Sequence, residues 1–422
     1  MRALVFVLAS LLATASALAQ APHAAPPDAS GFTLADALRA MRAEHPLLRS
    51  AELAIRAARA DQTQAGLWTN PVLGASYTKG VRRSSYDDAG YITYGVTQLL
   101  ELSSAPAARG RVAALLAQAA TFDRGSLDVS MSLDLESALI DAVTVARKLA
   151  LYERALGLLD EAAHIVDQRV AAGAAPRYDA TRIGVTTAMA QADRESARAD
   201  YARALAELRA SIGPGVARLP GEPSFSLEDE TPLRAPEQLV ELLLARRPDL
   251  EAARQRAASA SENIAAARRS VWTGVGLSVL GGFGAGPGQQ DVGAALSVPL
   301  PAVNRGQGLI SGAAARAQQA NTLVDAVRIT AQLRIEGQHA EVLARRTALA
   351  DYQARAVASG DEMLSEAQAG YLAGRFSVLE LADAYGAWRD ARLRAVELLA
   401  AARQAEVELS REVGSPLREV TR

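Results

Sequence analysis

Two patterns of apolar and polar positions alternate along this chain, and each occurs twice. In 70–79, Leu73, Ala75 and Tyr77 interleave with Gly74, Ser76 and Thr78; in 91–100, Ile92, Tyr94 and Val96 interleave with Thr93, Gly95 and Thr97. In the second half, Val275, Leu277 and Val279 interleave with Gly274, Gly276 and Ser278, and Val292, Ala294, Leu296 and Val298 with Gly293, Ala295 and Ser297. A period of two sends successive side chains to opposite faces, so each segment reads as a strand with one apolar face and one small or polar face. The polar stretch 80–90 and the glycine-rich stretch 281–291 join them into two β-hairpins, at 70–100 and 272–300.

The second pattern is helical. Apolar residues recur at three-and-four spacing, as in Leu34, Leu38, Met41, Leu48 and Ile55, or Val378, Leu381, Tyr385 and Trp388. A run follows each hairpin, 106–171 and 306–372, with no proline beyond its first turns. Each is about 65 residues, or about 100 Å at 1.5 Å per residue, far beyond an ordinary globular helix. The returning runs 177–212 and 377–413 span about 55 Å, and the runs before the hairpins, 33–67 and 236–271, are comparable. Two short helices stacked end to end then match one long one. A tall wall of helices and a solid bundle both satisfy this periodicity; the alanine-rich spacing favours the wall.

The order helix, hairpin, long helix, turn, helix repeats in one register. His45-Pro46 is echoed by Arg247-Pro248, 202 residues on, while Gly173 and Gly374, Asp179 and Glu380, and Gly213 and Gly414 are each 201 apart. The chain therefore divides into a first repeat (33–213, tip at 171–176), an irregular linker (214–235), a second repeat (236–414, tip at 372–376) and a short tail (415–422).

A period-two strand with small or polar inner positions suits a membrane barrel, whose apolar face meets lipid. Strands of about ten residues cross a bilayer when tilted. Four strands cannot close a barrel, and an open edge in lipid leaves backbone groups unpaired, so a membrane barrel here requires several copies of the chain. Trp68 and Trp272 flank the strand starts in both repeats, where interfacial aromatics sit; ordinary packing at a helix end is the competing account.

Composition narrows the field. Half of the residues are hydrophobic but only 5% are aromatic, and the formal charge is −2, too balanced for a nucleic-acid partner. The sequence has no cysteine, which excludes disulfides, thiol chemistry and lipidation on an N-terminal cysteine. Arg2, the apolar run Leu4 to Leu12 and Ala17-Leu18-Ala19 read as an export signal over 1–19, followed by a Pro/Ala-rich lead-in at 20–32. No apolar run is long enough for a transmembrane helix. His23, His45, His164 and His339 are scattered without metal-ligand spacing. Nucleophile-elbow and phosphate-loop motifs are absent, so neither catalysis nor a cofactor is expected.

Gln98-Leu99-Leu100-Glu101-Leu102 leading to Arg109 and Arg111, and Leu296-Ser297-Val298-Pro299-Leu300-Pro301 followed by Asn304-Arg305-Gly306-Gln307-Gly308, resemble the TolC-like outer-membrane efflux family. The likeness is greatest to its CzcC-like branch, found in heavy-metal efflux. The resemblance implies a mainly helical protein with a transmembrane β-barrel, a homotrimer forming a twelve-stranded barrel on a twelve-helix periplasmic α-barrel. It implies a passive duct in outer-membrane lipid, partnered by a periplasmic adaptor (membrane fusion) protein and an inner-membrane RND-type transporter. It further implies that Ala171, Ala172, Gly173, Leu372, Ala373 and Gly374 form the adaptor-docking tip. Glu380 and Asp383 would ring the periplasmic mouth, with Asp179 tying it closed through a basic residue, Arg375 being nearest. A drug or type I secretion duct, and a soluble periplasmic coiled-coil adaptor or scaffold, are the alternatives.

Overall fold

The computed structural model describes residues 32–79, 90–214, 221–228, 232–272, 274–284 and 290–417. The export signal expected over 1–19 and nearly all of the lead-in lie outside the described residues, as do 80–89 and 285–289 between the strands. The first repeat comprises β1 (Phe32–Thr33), α1 (Leu34–Glu44), α2 (Pro46–Ala65), β2 (Val72–Thr78), β3 (Tyr91–Leu100), α3 (Ala105–Ala171) and α4 (Arg177–Ile212). Within the linker, β4 (Pro223–Ser224) pairs in parallel with β1. The second repeat comprises α5 (Pro236–Arg246), α6 (Pro248–Ser270), β5 (Val275–Gly284), β6 (Gln290–Ser297) and α7 (Gln307–Tyr352). A π-helical turn (Gln353–Val357), α8 (Ala358–Leu372) and α9 (Val378–Val413) complete it.

Three expectations need correction. The runs 33–67 and 236–271 are not single helices; each breaks before its proline. A proline ring crowds the residue before it out of helical conformation, and His45 (ψ 125°) and Arg247 (ψ 113°) are both extended. The proline then takes the first position of the next helix, where no N–H is needed. Second, the glycine-rich join is shorter than 281–291, because β5 runs on to Gly284 and β6 starts at Gln290. The Tyr94 and Tyr91 side chains lie over Gly281 and Gly282, where an added Cβ would come within 2.7 Å of Tyr94 Cζ and 2.6 Å of Tyr91 Cζ. Aromatic cover of this kind keeps glycine in a strand. Third, the second long helix is not continuous; the π-helical turn inserts a wider turn between α7 and α8.

The long helix α3 is the spine. Ser259 Oγ donates to the Val112 carbonyl (3.1 Å), Arg111 pairs with Glu262 (3.3 Å), and a Cβ on Gly125 would touch Pro248 at 3.6 Å. Farther along, Asp134 pairs with Arg411 (2.8 Å), Ser137 donates to Gln404 (2.8 Å) and Lys148 pairs with Glu397 (2.8 Å). The antiparallel helices α6 and α9 thus lie end to end along α3. One half of the wall has α2 and α6 flanking α3, with α7 beyond α6; in the other, α4 and α9 flank α3, with α7 and α8 beyond α9. Buried apolar residues form several clusters along this wall rather than one central core. One gathers Leu156, Val166, Ile183, Tyr371 and Trp388, another Met41, Leu135 and Leu208, and a third Leu239, Ile335 and Leu409.

Candidate functional site

The two hairpins merge into one four-stranded antiparallel sheet, ordered β2-β3-β5-β6. Register explains its two faces. Leu73 pairs with Val96, Val96 with Val279 and Val279 with Ala294; Tyr77 pairs with Ile92, and Ile92 with Phe283. These rows make one continuous apolar face, and it is uncovered: Leu73 is 78% exposed and Val292 88%. On the opposite face, Thr97 and Ser278 share a 2.8 Å hydrogen bond, and the Tyr91 hydroxyl donates to Asp291 at 2.7 Å. An exposed apolar sheet face backed by a polar one is the reverse of a water-soluble sheet and matches a lipid-facing barrel segment. The outer strands β2 and β6 each have an unpaired edge within the chain.

The sheet is fastened to the helices by the motif residues around Glu101. Arg109, on the first turns of α3, pairs with Glu101 at 2.7 Å and donates to the carbonyls of Ala65 (3.2 Å) and Leu67 (3.4 Å). Thr69 adds a hydroxyl to Glu101 at 3.3 Å, and Gln98 donates to the Thr69 carbonyl at 2.9 Å. The end of α2, the end of β3 and the start of α3 are thereby joined. Beside β5, Gly274 lets the backbone pass close against the end of β3. Its φ is +116°, and a Cβ there would stand 2.3 Å from the Leu100 carbonyl oxygen. Trp68 and Trp272 lie just before β2 and β5, and both are exposed.

At the far end of the helices, the two tips share one geometry. Ala171 ends α3 and Leu372 ends α8. Gly173 and Gly374 each take φ +70°, the left-handed position that closes a helix and that glycine accepts without strain. The next residues, Ala174 and Arg375, each donate a backbone N–H (2.8 Å) to the helix behind, at Arg169 and Gly370. Ala171, Ala172, Gly173, Leu372, Ala373 and Gly374 are all exposed.

Two residues that the sequence did not single out clasp these tips together. The Arg169 guanidinium donates to the Tyr371 carbonyl and lies 4.8 Å from that ring's centroid. Burial, followed by the nearby Asp179 charge, pushes the Tyr371 phenol up. The Asp179 charge is thus felt at Tyr371, and within one chain Asp179 forms no ion pair with Arg375. Arg375 belongs to the exposed turn after Gly374, and among the described residues its side chain has no ion pair. The usable signal was positional: Arg169 and Tyr371 stand four and three residues before their turn glycines.

Glu380 and Asp383 lie one turn apart on α9, both exposed. Glu380 has a second role. One carboxylate oxygen accepts the Ser377 N–H (2.7 Å) and hydroxyl (2.9 Å), while Ser377 Oγ accepts the Glu380 N–H (3.3 Å). This reciprocal cap starts α9, and the Ser377 backbone N–H is the main reason the Glu380 carboxyl is held below its ordinary value. Among the described residues no group of three His, Asp or Glu side chains is placed to hold a metal ion, and no helix is long and apolar enough to cross a membrane.

The chain matches the family model for outer membrane efflux protein twice, over residues 37–214 and 239–415. Comparison with curated proteins by sequence gives no match. Among solved structures, it is similar to CusC, whose crystal structures concern folding and transmembrane channel formation, with TM-score 0.74 and 17% identity over 90% of this chain and 92% of that one. The outer-membrane channel OprN gives TM-score 0.74 and 20% identity over 91% and 90%. The outer membrane protein VceC of Vibrio cholerae gives 0.72 and 19% over 91% and 96%.

Proposed function

Because this chain belongs to the outer membrane efflux protein family, a family of passive channels that serve tripartite pumps, we propose that three copies of it form one exit duct whose cargo is heavy-metal cations, of the zinc, cobalt and cadmium or the copper type. The observation that carries the channel is the four-stranded sheet, with one apolar face exposed and both edges unpaired. Three such sheets joined edge to edge would close a twelve-stranded barrel with no unpaired backbone in lipid. A soluble adaptor or scaffold has no use for such a face.

The exposed turns around Gly173 and Gly374 are the proposed contact for the periplasmic adaptor, which links the duct to an inner-membrane transporter of the RND type. Glu380 and Asp383 supply the proposed cation-favouring mouth, since a ring of carboxylates repeated in each copy focuses a negative potential there. Asp179, on the first turn of α4, is the proposed tie that holds the mouth closed, with Arg375 on the exposed turn placed to meet a neighbouring copy. Trp68 and Trp272 are assigned to the membrane interface. The export signal at 1–19 delivers an unlipidated chain to the outer membrane.

Deleting the gene in its host and challenging the strain with zinc, cobalt, cadmium, copper and a panel of drugs tests the cargo. Hypersensitivity to one or more metals with unchanged drug tolerance is expected. Hypersensitivity to drugs alone would overturn the metal assignment in favour of a drug duct.

A further inference from the structure

A cavity of about 550 Å³ opens between α3, the π-helical turn and α9, beside the linker. Its lining is of two kinds: Leu151, Val357 and Val396 are apolar, while Arg147, Arg154 and Arg392 bring guanidinium groups. Two of these cations are already committed. Arg147 holds both carboxylate oxygens of Glu228, the second at 2.9 Å. Arg392 holds Asp361 through Nη2 (2.8 Å) and Nε (3.2 Å). Arg154 differs. Among the described residues it makes no ion pair within hydrogen-bonding reach, although its charge is felt by the Asp361 carboxylate that Arg392 holds, and its guanidinium rests 5.7 Å from the centroid of the buried Trp388 ring.

The walls around this cation are fixed in advance. The Glu228 carbonyl accepts from the buried Arg403 at 3.2 Å, and the Trp388 indole N–H donates to Asp361 at 2.7 Å. A concave, largely apolar space with a few preplaced polar groups is the usual make-up of a small-molecule site, and the volume falls within the usual range.

We propose that this cavity binds an amphipathic monoanion, its carboxylate or sulfonate on Arg154 and its apolar body against Leu151, Val357 and Val396. The limit of one charge follows from the lining: the Glu228 carboxylate already stands at the cavity wall and opposes a polyanion. Such a ligand touches α3 of the first repeat together with the π-helical turn and α9 of the second, and so braces one repeat against the other. The site does not depend on what the duct carries, because binding is read without transport.

The test uses the full-length protein in peptidiscs with Trp68→Phe and Trp272→Phe, which leaves Trp388 as the one indole, since the sequence has three tryptophans. Decanoate, camphorsulfonate and decanol are titrated against Trp388 emission. A saturable response to either anion and none to decanol is expected. Preference for decanoate marks a straight-chain, lipid-derived ligand; preference for camphorsulfonate marks a ring-bearing organic anion. Loss of the cation in Arg154→Gln should weaken binding about tenfold or more, with partial retention in Arg154→Lys. Because Arg154 touches the reporter, equilibrium dialysis with labelled anion repeats the comparison, and Ala395→Phe, which fills the cavity without removing a charge, should also abolish binding. No saturable uptake of either anion, an equal response to decanol, or dialysis binding unchanged by both Arg154→Gln and Ala395→Phe would overturn the proposal.

Discussion

Arg247 closes over Gly414: a Cβ on that glycine would stand 2.8 Å from Arg247 Cγ, and Arg247 Nη1 donates to the Glu412 carbonyl at 2.6 Å. The end of α9 is thereby locked to the start of α6. His45 and Gly213 occupy the same relation in the first repeat, where a Cβ would lie 3.0 Å from His45 Cδ2. Gly414→Val meets this crowding with a φ of +79°, which a β-branched residue resists. A loss of about 2 kcal/mol is expected, read as a lower midpoint of thermal unfolding; an unchanged midpoint would show that the junction yields freely.

Glu380 should separate charge from capping. In Glu380→Gln the side chain can still accept from Ser377, so α9 keeps its cap while the proposed mouth loses a charge. In Glu380→Ala both are lost. Single-channel recordings should show reduced cation preference in both variants, whereas hydrogen exchange at the start of α9 should rise only in Glu380→Ala. Cation preference equal to the parent protein in both would remove Glu380 from the mouth.

Gly274 admits no side chain. With φ at +116° and the Leu100 carbonyl oxygen 2.3 Å from a Cβ position, Gly274→Ala must displace β5 from β3. Loss of the proposed trimer, read as a detergent-resistant, heat-sensitive band on unheated gels, is the expected result, while Gly293→Ala, where a Cβ meets nothing within 4 Å, should assemble normally.

Arg403 is almost wholly buried and has three anchors: Glu406 at 2.6 Å, the Leu227 carbonyl at 2.5 Å and the Glu228 carbonyl at 3.2 Å. Arg403→Met removes all three while Glu406 keeps Arg346 at 2.5 Å. Removing one partner of a buried pair typically costs about 3 kcal/mol. The linker should loosen first, detected as faster proteolysis near residues 225–228 and then a lower melting temperature.

Asp361 gives an acid response. The Arg392 hydrogen bonds, and then Trp388, hold its carboxyl below the ordinary value. A depressed carboxylate stabilises the fold above its ordinary unfolded pKa, and that contribution is lost as pH falls through the lower folded value. Trp388 emission should therefore stay constant from neutral pH to the ordinary carboxylate range and change only below it. Asp361→Asn should abolish that step.

The hairpins and long helices were legible because period-two and three-and-four spacing report directly on which face is covered. Reading faces alone could not say that the sheet's apolar side is bare, since alternation looks the same over a core and over lipid. The breaks at His45 and Arg247 were written in the following prolines, which served as repeat markers rather than as the ends of helices. The extension of β5 over Gly281 and Gly282 depended on tyrosines in a strand distant in sequence. The π-helical turn at Gln353 has no glycine or proline inside it to announce it. At the tip, the turn glycines were visible from spacing, but the Arg169–Tyr371 clasp joins residues 202 positions apart and no local pattern encodes it.

The pairing of β3 with β5 has a bearing on how such a ring could have arisen. That pairing joins a hairpin of one repeat to a hairpin of the other, and a seam from β6 to β2 of the next copy would again join second repeat to first. A ring built from unfused single repeats would need twice as many encounters between separate molecules. Tethering the halves makes every alternate seam an event within one chain, at the high local concentration a linker provides. Gene fusion would then have favoured ring closure without altering a single contact in it.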